Sequence, residues 1–415
     1  MRQGRGLGAL YCPYCYEEIS ARQIWFRCAG RISRSGRRCA PEADPVLRAR
    51  TGFTGALPPP FPGDGRPGER RPGPASCPEC GDDTTIRICP VCHSRLPVHF
   101  GNVPSRLIVP VGAKEAGKTV FMTVLVHELM HQTGQRLNAA ITGADDSTRE
   151  RFTRDYERPM YRDSKLPAPT TPGAPHRAPL VFRFTTEGRP AAGSLGGLAR
   201  LAGRPASRAS RREPQRTLLS FFDTAGEDLR SARSMEQNVR YLGAADGILL
   251  LLDPLQMPGA RGLASGRLPT PGTTDDEPAN VLENVTDLIM AAQVKKPNER
   301  ISKPLAIVFT KMDALLHDLK DTSPLLRPPP QTSYFDDRDS REVHTEMQRL
   351  LARWNGSRID QIARLNFSHY RYFGVSALGE SPTADNRVSG RGIHPYRVTS
   401  PILWILGQFG IIGVK

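Results

Sequence analysis

The stretch Gly112-Ala113-Lys114-Glu115-Ala116-Gly117-Lys118-Thr119 determines which fold we expect. It has the pattern G-x-x-x-x-G-K-[ST] and directly follows the apolar run 107–111. In such a loop, backbone N–H groups surround a phosphate, and the following helix adds its positive N-terminal end. Lys118 can then reach the β- and γ-phosphates, and Thr119 can bind Mg²⁺. The sequence therefore predicts binding of a nucleoside triphosphate.

Two further motifs follow apolar strands. A predicted strand at 216–222 leads to Asp223-Thr224-Ala225-Gly226-Glu227, a D-x-x-G motif. Asp223 can hold Mg²⁺, and the Gly226 N–H can contact a γ-phosphate. A predicted strand at 305–309 leads to Thr310-Lys311-Met312-Asp313. The Asp313 carboxylate can accept hydrogen bonds from N1 and N2 of guanine, whereas adenine offers no such pair of donors, so this motif favours GTP.

A fourth motif completes the series. The apolar residues 372–375 lead into Ser376-Ala377-Leu378, whose backbone would meet guanine O6. Each later motif is weak alone, because short patterns recur by chance. Four in order, each at a strand end, indicate one nucleotide site.

In this order the motifs resemble those of the Ras-like or translation-factor-related P-loop GTPases over residues 106–412. The resemblance implies an α/β fold with a doubly wound, mostly parallel sheet, the nucleotide at the carboxyl ends of its strands, and a GTP/GDP switch. The cysteine-rich N-terminus and the end of the chain are similar to those of bacterial GTPases of the double-GTPase group, which accompany partner proteins. A GTPase-activating or effector protein is therefore an expected partner.

Departures from the family pattern predict slow hydrolysis. The family usually has a water-orienting Gln where this chain has Glu227, and a γ-phosphate repels a carboxylate unless it is protonated or bridged by a cation. Lys114 either supplies that cation or obstructs an arginine finger from a partner; the sequence leaves both open. Thr310 replaces the commoner Asn, which predicts loss of an amide tether to the phosphate loop. The switch threonine that should contact Mg²⁺ has three candidates, Thr142, Thr170 and Thr171.

All eight cysteines precede the phosphate loop. Cys77-x₂-Cys80-x₈-Cys89-x₂-Cys92 has the spacing of a zinc ribbon, with Gly81 and Pro90 beside its turns. Cys12-x₂-Cys15, completed by Cys28 and Cys39, predicts a second structural zinc. An interleaved pairing, for instance Cys12 and Cys15 with Cys77 and Cys80, stays open. His93 and His99 are expected to be surface residues.

These motifs predict four segments. Residues 1–50 form a first cysteine-rich zinc knuckle region, 51–76 a Pro/Gly/Arg linker, 77–100 a zinc ribbon, and 101–415 the P-loop GTPase domain. Insertions are expected near 136–178, 187–215, 254–278 and 314–338. We expect helices at 118–135, 279–293, 339–354 and 357–365, and a last helix within 401–414.

Composition narrows the class of protein. The chain has 415 residues, an apolar fraction of 38% and a formal net charge of +15, with 38 Gly and 38 Pro. These values predict two or three domains with long loops. No apolar signal segment begins the chain, so we expect a cytoplasmic protein. The apolar ending is shorter than the ~20 residues of a membrane span.

A basic tract supports one alternative function. Residues 187–216 contain seven Arg and two Glu. Such a tract is either a solvated loop or a site for nucleic acid or an acidic partner. The alternatives to a regulatory switch are thus a nucleic-acid-associated NTPase and a non-hydrolysing nucleotide-bound scaffold.

A competing signature lies on the helix after the phosphate loop. His127-Glu128-Leu129-Met130-His131 has the H-E-x-x-H pattern of zinc peptidases. Because no Gly-rich extension with a third His follows, we interpret these residues as polar groups on a helix surface.

Overall fold

The computed structural model describes residues 10–63, 73–167, 178–187, 214–222, 232–264, 277–292, 298–383 and 385–415. For residues 232–237 it describes the backbone alone.

Short strands surround the cysteines in the first hundred residues. They are β1 (Leu10–Tyr11), β2 (Glu18–Ile19), β3 (Trp25–Arg27), β4 (Glu42–Ala43), β5 (Ala56–Leu57), β6 (Pro60–Pro62), β7 (Ala75–Ser76), β8 (Asp83–Thr84) and β9 (Arg87–Ile88), with helix α1 (Pro45–Thr51). β3 pairs antiparallel with both β6 and β9. This pairing joins segments that are far apart in the sequence, so the cysteine-rich residues form one interwoven module, which we call the cysteine module (residues 10–100).

A seven-stranded sheet forms the centre of the remaining chain. Its strands are β10 (Ser105–Gly112), β11 (Ala139–Gly143), β12 (Leu180–Thr186), β13 (Gln215–Phe221), β14 (Gly247–Leu252), β15 (Leu305–Phe309) and β16 (Tyr370–Gly374), in the spatial order β11-β12-β13-β10-β14-β15-β16. From β13 to β16 all neighbours are parallel. β12 is antiparallel to both β11 and β13. The predicted α/β class with a mostly parallel sheet is confirmed.

Helices cover both faces of this sheet. They are α2 (Lys118–Met130), α3 (Gln132–Arg136), α4 (Asp146–Arg151), α5 (Arg158–Tyr161), α6 (Ala232–Ala244), α7 (Pro258–Arg261), α8 (Pro278–Ala292), α9 (Asp337–Arg353), α10 (Ser357–Asn366) and α11 (Ser400–Gln408). Every residue of β14 and β15 is buried, which requires cover on both sides. Side chains of α2 and α11 pack on one face, and those of α6, α8, α9 and α10 pack on the other.

The strand at 216–222 has a hairpin partner, because β12 pairs antiparallel with β13 and places Leu180 opposite Phe221. The helix predicted at 118–135 is broken instead. α2 ends at Met130, and His131 has φ −108° and ψ −105° before α3 begins. The last helix is shorter than the apolar ending, since α11 stops at Gln408.

The region after α3 has structure of its own. Residues 139–161 contain β11, α4, a π-helix at Phe152–Glu157 and α5. Within the described part of the chain, no helix combines the length and the apolar character needed to cross a bilayer.

Candidate functional site

The phosphate loop joins β10 to α2. Gly112 ends the strand, and a Cβ there would lie 2.2 Å from the Leu251 carbonyl oxygen, so only glycine permits this approach to β14. Glu115 and Gly117 have φ of 60° and 80°. Left-handed residues that alternate with ordinary ones are typical of backbone nests that bind anions. The loop thus has the backbone form that the motif predicts.

The lysine of the loop is held close to the backbone. Lys118 is 8% exposed, and its Nζ lies 3.0 Å from the Gly112 carbonyl oxygen and 2.7 Å from that of Ala113. Lys118 and Thr119 are the first two residues of α2, so both side chains begin at the positive end of a helix. Lys114 is exposed and Ala116 is buried.

The TKMD turn contacts the phosphate loop directly. Thr310 is 4% exposed, and its Oγ1 donates a hydrogen bond to the Ala116 carbonyl oxygen at 3.0 Å. The amide tether is absent, as expected, but the turn keeps a hydrogen bond to the phosphate loop. A hydroxyl replaces the amide here, because the ends of β10 and β15 bring the two turns close enough for a short side chain.

The next residue of this turn forms an ion pair that the sequence reasoning missed. Lys311 has φ 56°, and its Nζ lies 2.6 Å from Oδ2 of Asp253. Asp253 follows β14 directly and also accepts a hydrogen bond from the Leu255 N–H. Its place in the sequence could have revealed Asp253. It directly follows an apolar strand, as the residues of the other motifs do.

The TKMD turn and the loop after β16 are joined by hydrogen bonds. Ser376 Oγ donates to Oδ1 of Asp313 at 2.6 Å and accepts from the Gly379 N–H at 2.9 Å. The Met312 N–H donates to the Val375 carbonyl oxygen. One oxygen of the Asp313 carboxylate is thereby oriented by Ser376. Ala377 and Leu378 follow, both half-buried.

Several predicted residues lie outside the described part of the chain. They are Asp223, Gly226, Glu227, Thr170, Thr171 and most of the basic tract. Thr142, the remaining switch candidate, is on β11, where its Oγ1 accepts a hydrogen bond from Arg183 at 3.2 Å.

The cysteines do not group in sequence order. One tetrad contains Cys12, Cys15, Cys89 and Cys92, and the other contains Cys28, Cys39, Cys77 and Cys80. The predicted ribbon of four consecutive cysteines is wrong, and so is the set completed from the N-terminal knuckle. The arrangement is interleaved, but Cys12 and Cys15 group with Cys89 and Cys92 and not with Cys77 and Cys80. Antiparallel pairing of β3 with β9 is one physical reason, because it places Cys28 and Cys89, which directly follow these strands, at opposite ends of the pair.

Both tetrads have the dimensions of a tetrahedral zinc site. The Sγ–Sγ distances are 3.8 Å for Cys12–Cys92 and Cys15–Cys89, 3.6 Å for Cys28–Cys80 and 3.7 Å for Cys39–Cys77. A zinc ion about 2.3 Å from each sulfur requires sulfurs about 3.8 Å apart. The residues that follow the three C-x-x-C pairs, Tyr16, Gly81 and His93, all have left-handed backbone. The two tetrads can each hold a zinc ion.

Burial and hydrogen bonding act in opposite directions on the thiols of the first tetrad. Burial raises the pKa of Cys12. Hydrogen bonds from Cys12 and Cys15 lower the pKa of Cys92. A zinc ion bound by this tetrad would require all four sulfurs as thiolates, so its binding would release protons.

A buried ion pair connects the surroundings of the two tetrads. Asp44 accepts from Arg27 at 2.5 Å, lies 3.0 Å from Nδ1 of His93, and caps α1 through the Leu47 N–H. Arg27 precedes a cysteine of one tetrad and His93 follows a cysteine of the other. Burial opposes ionisation of Asp44, but hydrogen bonds from Arg27 and Leu47 lower its pKa. The expectation that His93 is a surface residue is wrong.

The cysteine module packs on the sheet through aromatic rings. Tyr16 is 5% exposed, and its ring centroid lies 5.9 Å from that of Phe222 and 5.0 Å from that of Tyr241. The Tyr241 hydroxyl donates to the Phe222 carbonyl oxygen. Glu17 pairs with Arg240 at 2.6 Å on the surface beside them. The module therefore contacts Phe222, directly after β13, and Tyr241 of α6.

Comparisons with known proteins give one relative along the whole length. The chain is 26% identical over 423 residues to a Mycolicibacterium smegmatis protein described provisionally as ESX-1 scaffolding and assembly protein SaeC, covering 97% of this chain and 99% of that one. No family model matches. A solved structure of the Trypanosoma brucei small GTPase Arl6 BBS3 with bound nucleotide analogue GppNp covers 74% of this chain and 99% of its own, at 10% identity and TM-score 0.27.

Zinc content tests the interleaved grouping. We expect C12S/C89S to lose one equivalent of zinc, since both cysteines serve one ion, and C12S/C28S to lose both. Grouping in sequence order predicts instead that C12S/C28S loses one equivalent of zinc and C12S/C89S loses both. Metal analysis of the purified variants distinguishes the two patterns.

The close approach at Gly112 makes a second prediction. In Gly112→Ala the added Cβ collides with backbone, so we expect destabilisation of about 1–3 kcal/mol. Gly390→Ala is the matched control, because nothing lies within 4 Å of a Cβ there. Thermal unfolding should separate the two variants, and equal midpoints would contradict the packing argument.

Proposed function

We propose that this protein is a cytoplasmic, GTP-binding regulatory switch that hydrolyses GTP slowly and signals to a partner protein. The observation that carries the proposal is the hydrogen bond from Thr310 to Ala116. It joins a loop with the form of a phosphate site to a turn that carries Asp313. Phosphate and base recognition would thus occur at one edge of a parallel sheet, where α/β proteins bind nucleotides.

For the phosphates, the proposal uses the loop 112–119. Lys118 would neutralise charge on the β- and γ-phosphates, and its position against the loop carbonyls supports this role. Thr119 would bind Mg²⁺ together with Asp223. Magnesium would supply charge neutralisation of the triphosphate when bound.

For the base, the proposal uses Asp313 and the loop after β16. Ser376 orients one carboxylate oxygen of Asp313, which favours a fixed direction for the other. A fixed carboxylate discriminates strongly, because a base without matching donors would leave it unpaired. Thr310 and Lys311 would support this turn, and the backbone of Ala377 and Leu378 would meet guanine O6.

Hydrolysis and signalling remain proposals about residues near the γ-phosphate. Gly226 would sense that phosphate, and Glu227 in place of Gln would make turnover slow. Lys114 is exposed at the loop, which is compatible with either of its two suggested roles. The segment that begins at 223 lies between Phe222 and α6, both contacted by Tyr16. The cysteine module, with two structural zinc ions, would carry the nucleotide state to a partner.

A base-specificity variant tests the proposal. We expect Asp313→Asn to weaken GTP binding at least about 100-fold and to favour xanthosine nucleotides, since the amide presents a donor where guanine also has donors. Nucleotide affinities of the purified protein measure this change.

Asp318→Asn is the matched control, because Asp318 pairs with Arg353 on the surface instead. It should leave both affinities unchanged. Equal binding of GTP and ATP by the natural protein, together with no effect of Asp313→Asn, would overturn the guanine assignment.

The contact at Tyr16 makes a further prediction. Hydrogen exchange in the cysteine module should differ between GDP and a non-hydrolysable GTP analogue, and Tyr16→Ala should reduce that difference because the ring contacts are lost. Tyr334→Ala, whose ring contacts Lys415 instead, should not. Equal hydrogen-exchange rates in the cysteine module with GDP and with the GTP analogue would contradict the signalling role.

A nucleotide-bound scaffold is the second candidate. The M. smegmatis relative, aligned over nearly the whole chain, is described as a scaffolding and assembly protein, which favours protein partners over nucleic acid. In a scaffold, GTP would stabilise the fold without turnover. Bound guanine nucleotide with no hydrolysis, alone or with a partner, would identify this alternative.

A further inference from the structure

Two histidines lie one turn apart at the end of α2. His127 is within the helix and His131 follows its last residue, so both side chains point from the same face. Their ring centroids are 4.3 Å apart. Helical spacing of this kind can present two imidazole ligands to one ion.

The π-helix supplies a third group, which the sequence did not reveal. Glu157 ends this helix, and its Oε1 lies 2.8 Å from Nδ1 of His127 and 3.9 Å from Nε2 of His131. Single turns of π-helix recur at functional sites. The two segments are separated by thirty residues in sequence. The expectation that His127 and His131 are ordinary helix-surface groups missed this carboxylate.

We propose that His127, His131 and Glu157 bind a divalent transition metal ion, with Zn²⁺ the best match. Their three candidate ligand atoms all lie within 4.8 Å of one another. Tetrahedral zinc with ligands at about 2.0–2.1 Å requires ligand atoms about 3.3 Å apart. The observed 2.8 Å and 3.9 Å bracket that value, so small side-chain rotations suffice.

The donor set selects the class of ion. Two imidazoles and one carboxylate suit zinc and its neighbours, whereas Mg²⁺ and Ca²⁺ prefer oxygen alone. Three protein ligands leave a fourth position for water. The His131 side chain is 55% exposed and the other two are 23% exposed, so an ion can enter from solvent. This site differs from the cysteine tetrads in both ligands and location.

Tyr161 provides an independent observation. Its ring stacks on His127 with centroids 3.8 Å apart. Its hydroxyl is buried and has no hydrogen-bond partner among the described residues. Buried polar atoms without partners are rare in native proteins, and a bound ion or water is one of the explanations for them.

The location gives the ion a structural consequence. α2 begins with Lys118 and Thr119 of the phosphate loop, and the π-helix packs along the same helix. A metal at its far end would fix α2 to residues 152–157. The proposed metal site therefore lies on the same helix that begins at the phosphate loop. The proposal concerns metal binding and assigns no reaction to the site.

Cobalt titration tests the proposal. In the full chain with its cysteine tetrads saturated with zinc, we expect one further equivalent of Co²⁺. It should show visible d–d absorption without the near-ultraviolet band of thiolate ligands. Glu157→Gln and His131→Gln should each weaken this binding at least about tenfold, because each removes one ligand.

His369→Gln is the matched control, since His369 is exposed and is not one of the clustered candidate ligands. It should bind cobalt as the natural protein does. His131 is the most exposed ligand, so His131→Gln keeps the test valid even if changes at His127 impair folding. No uptake beyond the tetrads, or unchanged affinity in both ligand variants, would overturn the proposal and leave a simple His–Glu ion pair.

Discussion

Parallel pairing of β10 with both β13 and β14 is the constraint on which this molecule depends. Parallel neighbours end at the same edge of a sheet, so the loops that follow them meet although they are far apart in sequence. The contact between Thr310 and Ala116 follows from this, because β15, which precedes Thr310, is parallel to β14 and ends at the same edge as β10. Gly112 allows β10 and β14 to lie close together at this edge, because it has no Cβ to collide with the Leu251 carbonyl oxygen. The candidate nucleotide site is thus a property of sheet order, and each motif contributes one turn to it.

The cysteine module is built on the opposite principle, long-range antiparallel pairing of very short strands. Strands of two or three residues bury little apolar surface, so they depend on other contacts. Two interleaved tetrads and the buried Asp44 ion pair provide these contacts. The first tetrad also packs with Val181 and Leu218 of the central sheet. The module and the sheet therefore share a core, which makes a change on one side able to affect the other.

The sequence predicted features that depend on local pattern. The phosphate loop, the apolar strands and most helices follow from spacing and periodicity within about 20 residues, and the structure agrees on where they lie. Grouping of the cysteines could not be predicted, because it follows from pairing of β3 with β9 and not from cysteine spacing. Glu157 was missed for the same reason. The hydroxyl bond of Thr310 was not predicted, because it depends on the distance between two turns, which sheet geometry sets.

Direct comparison of GTP and ATP tests the central claim, that the phosphate loop and the Asp313 turn form one guanine-nucleotide site. Calorimetric titration of nucleotide-free, zinc-loaded protein with each nucleotide in the presence of Mg²⁺ measures both affinities on the same sample. The account predicts GTP binding at least about 100-fold tighter than ATP, since only guanine pairs with the Asp313 carboxylate. Equal affinities, or no binding of either nucleotide, would contradict it.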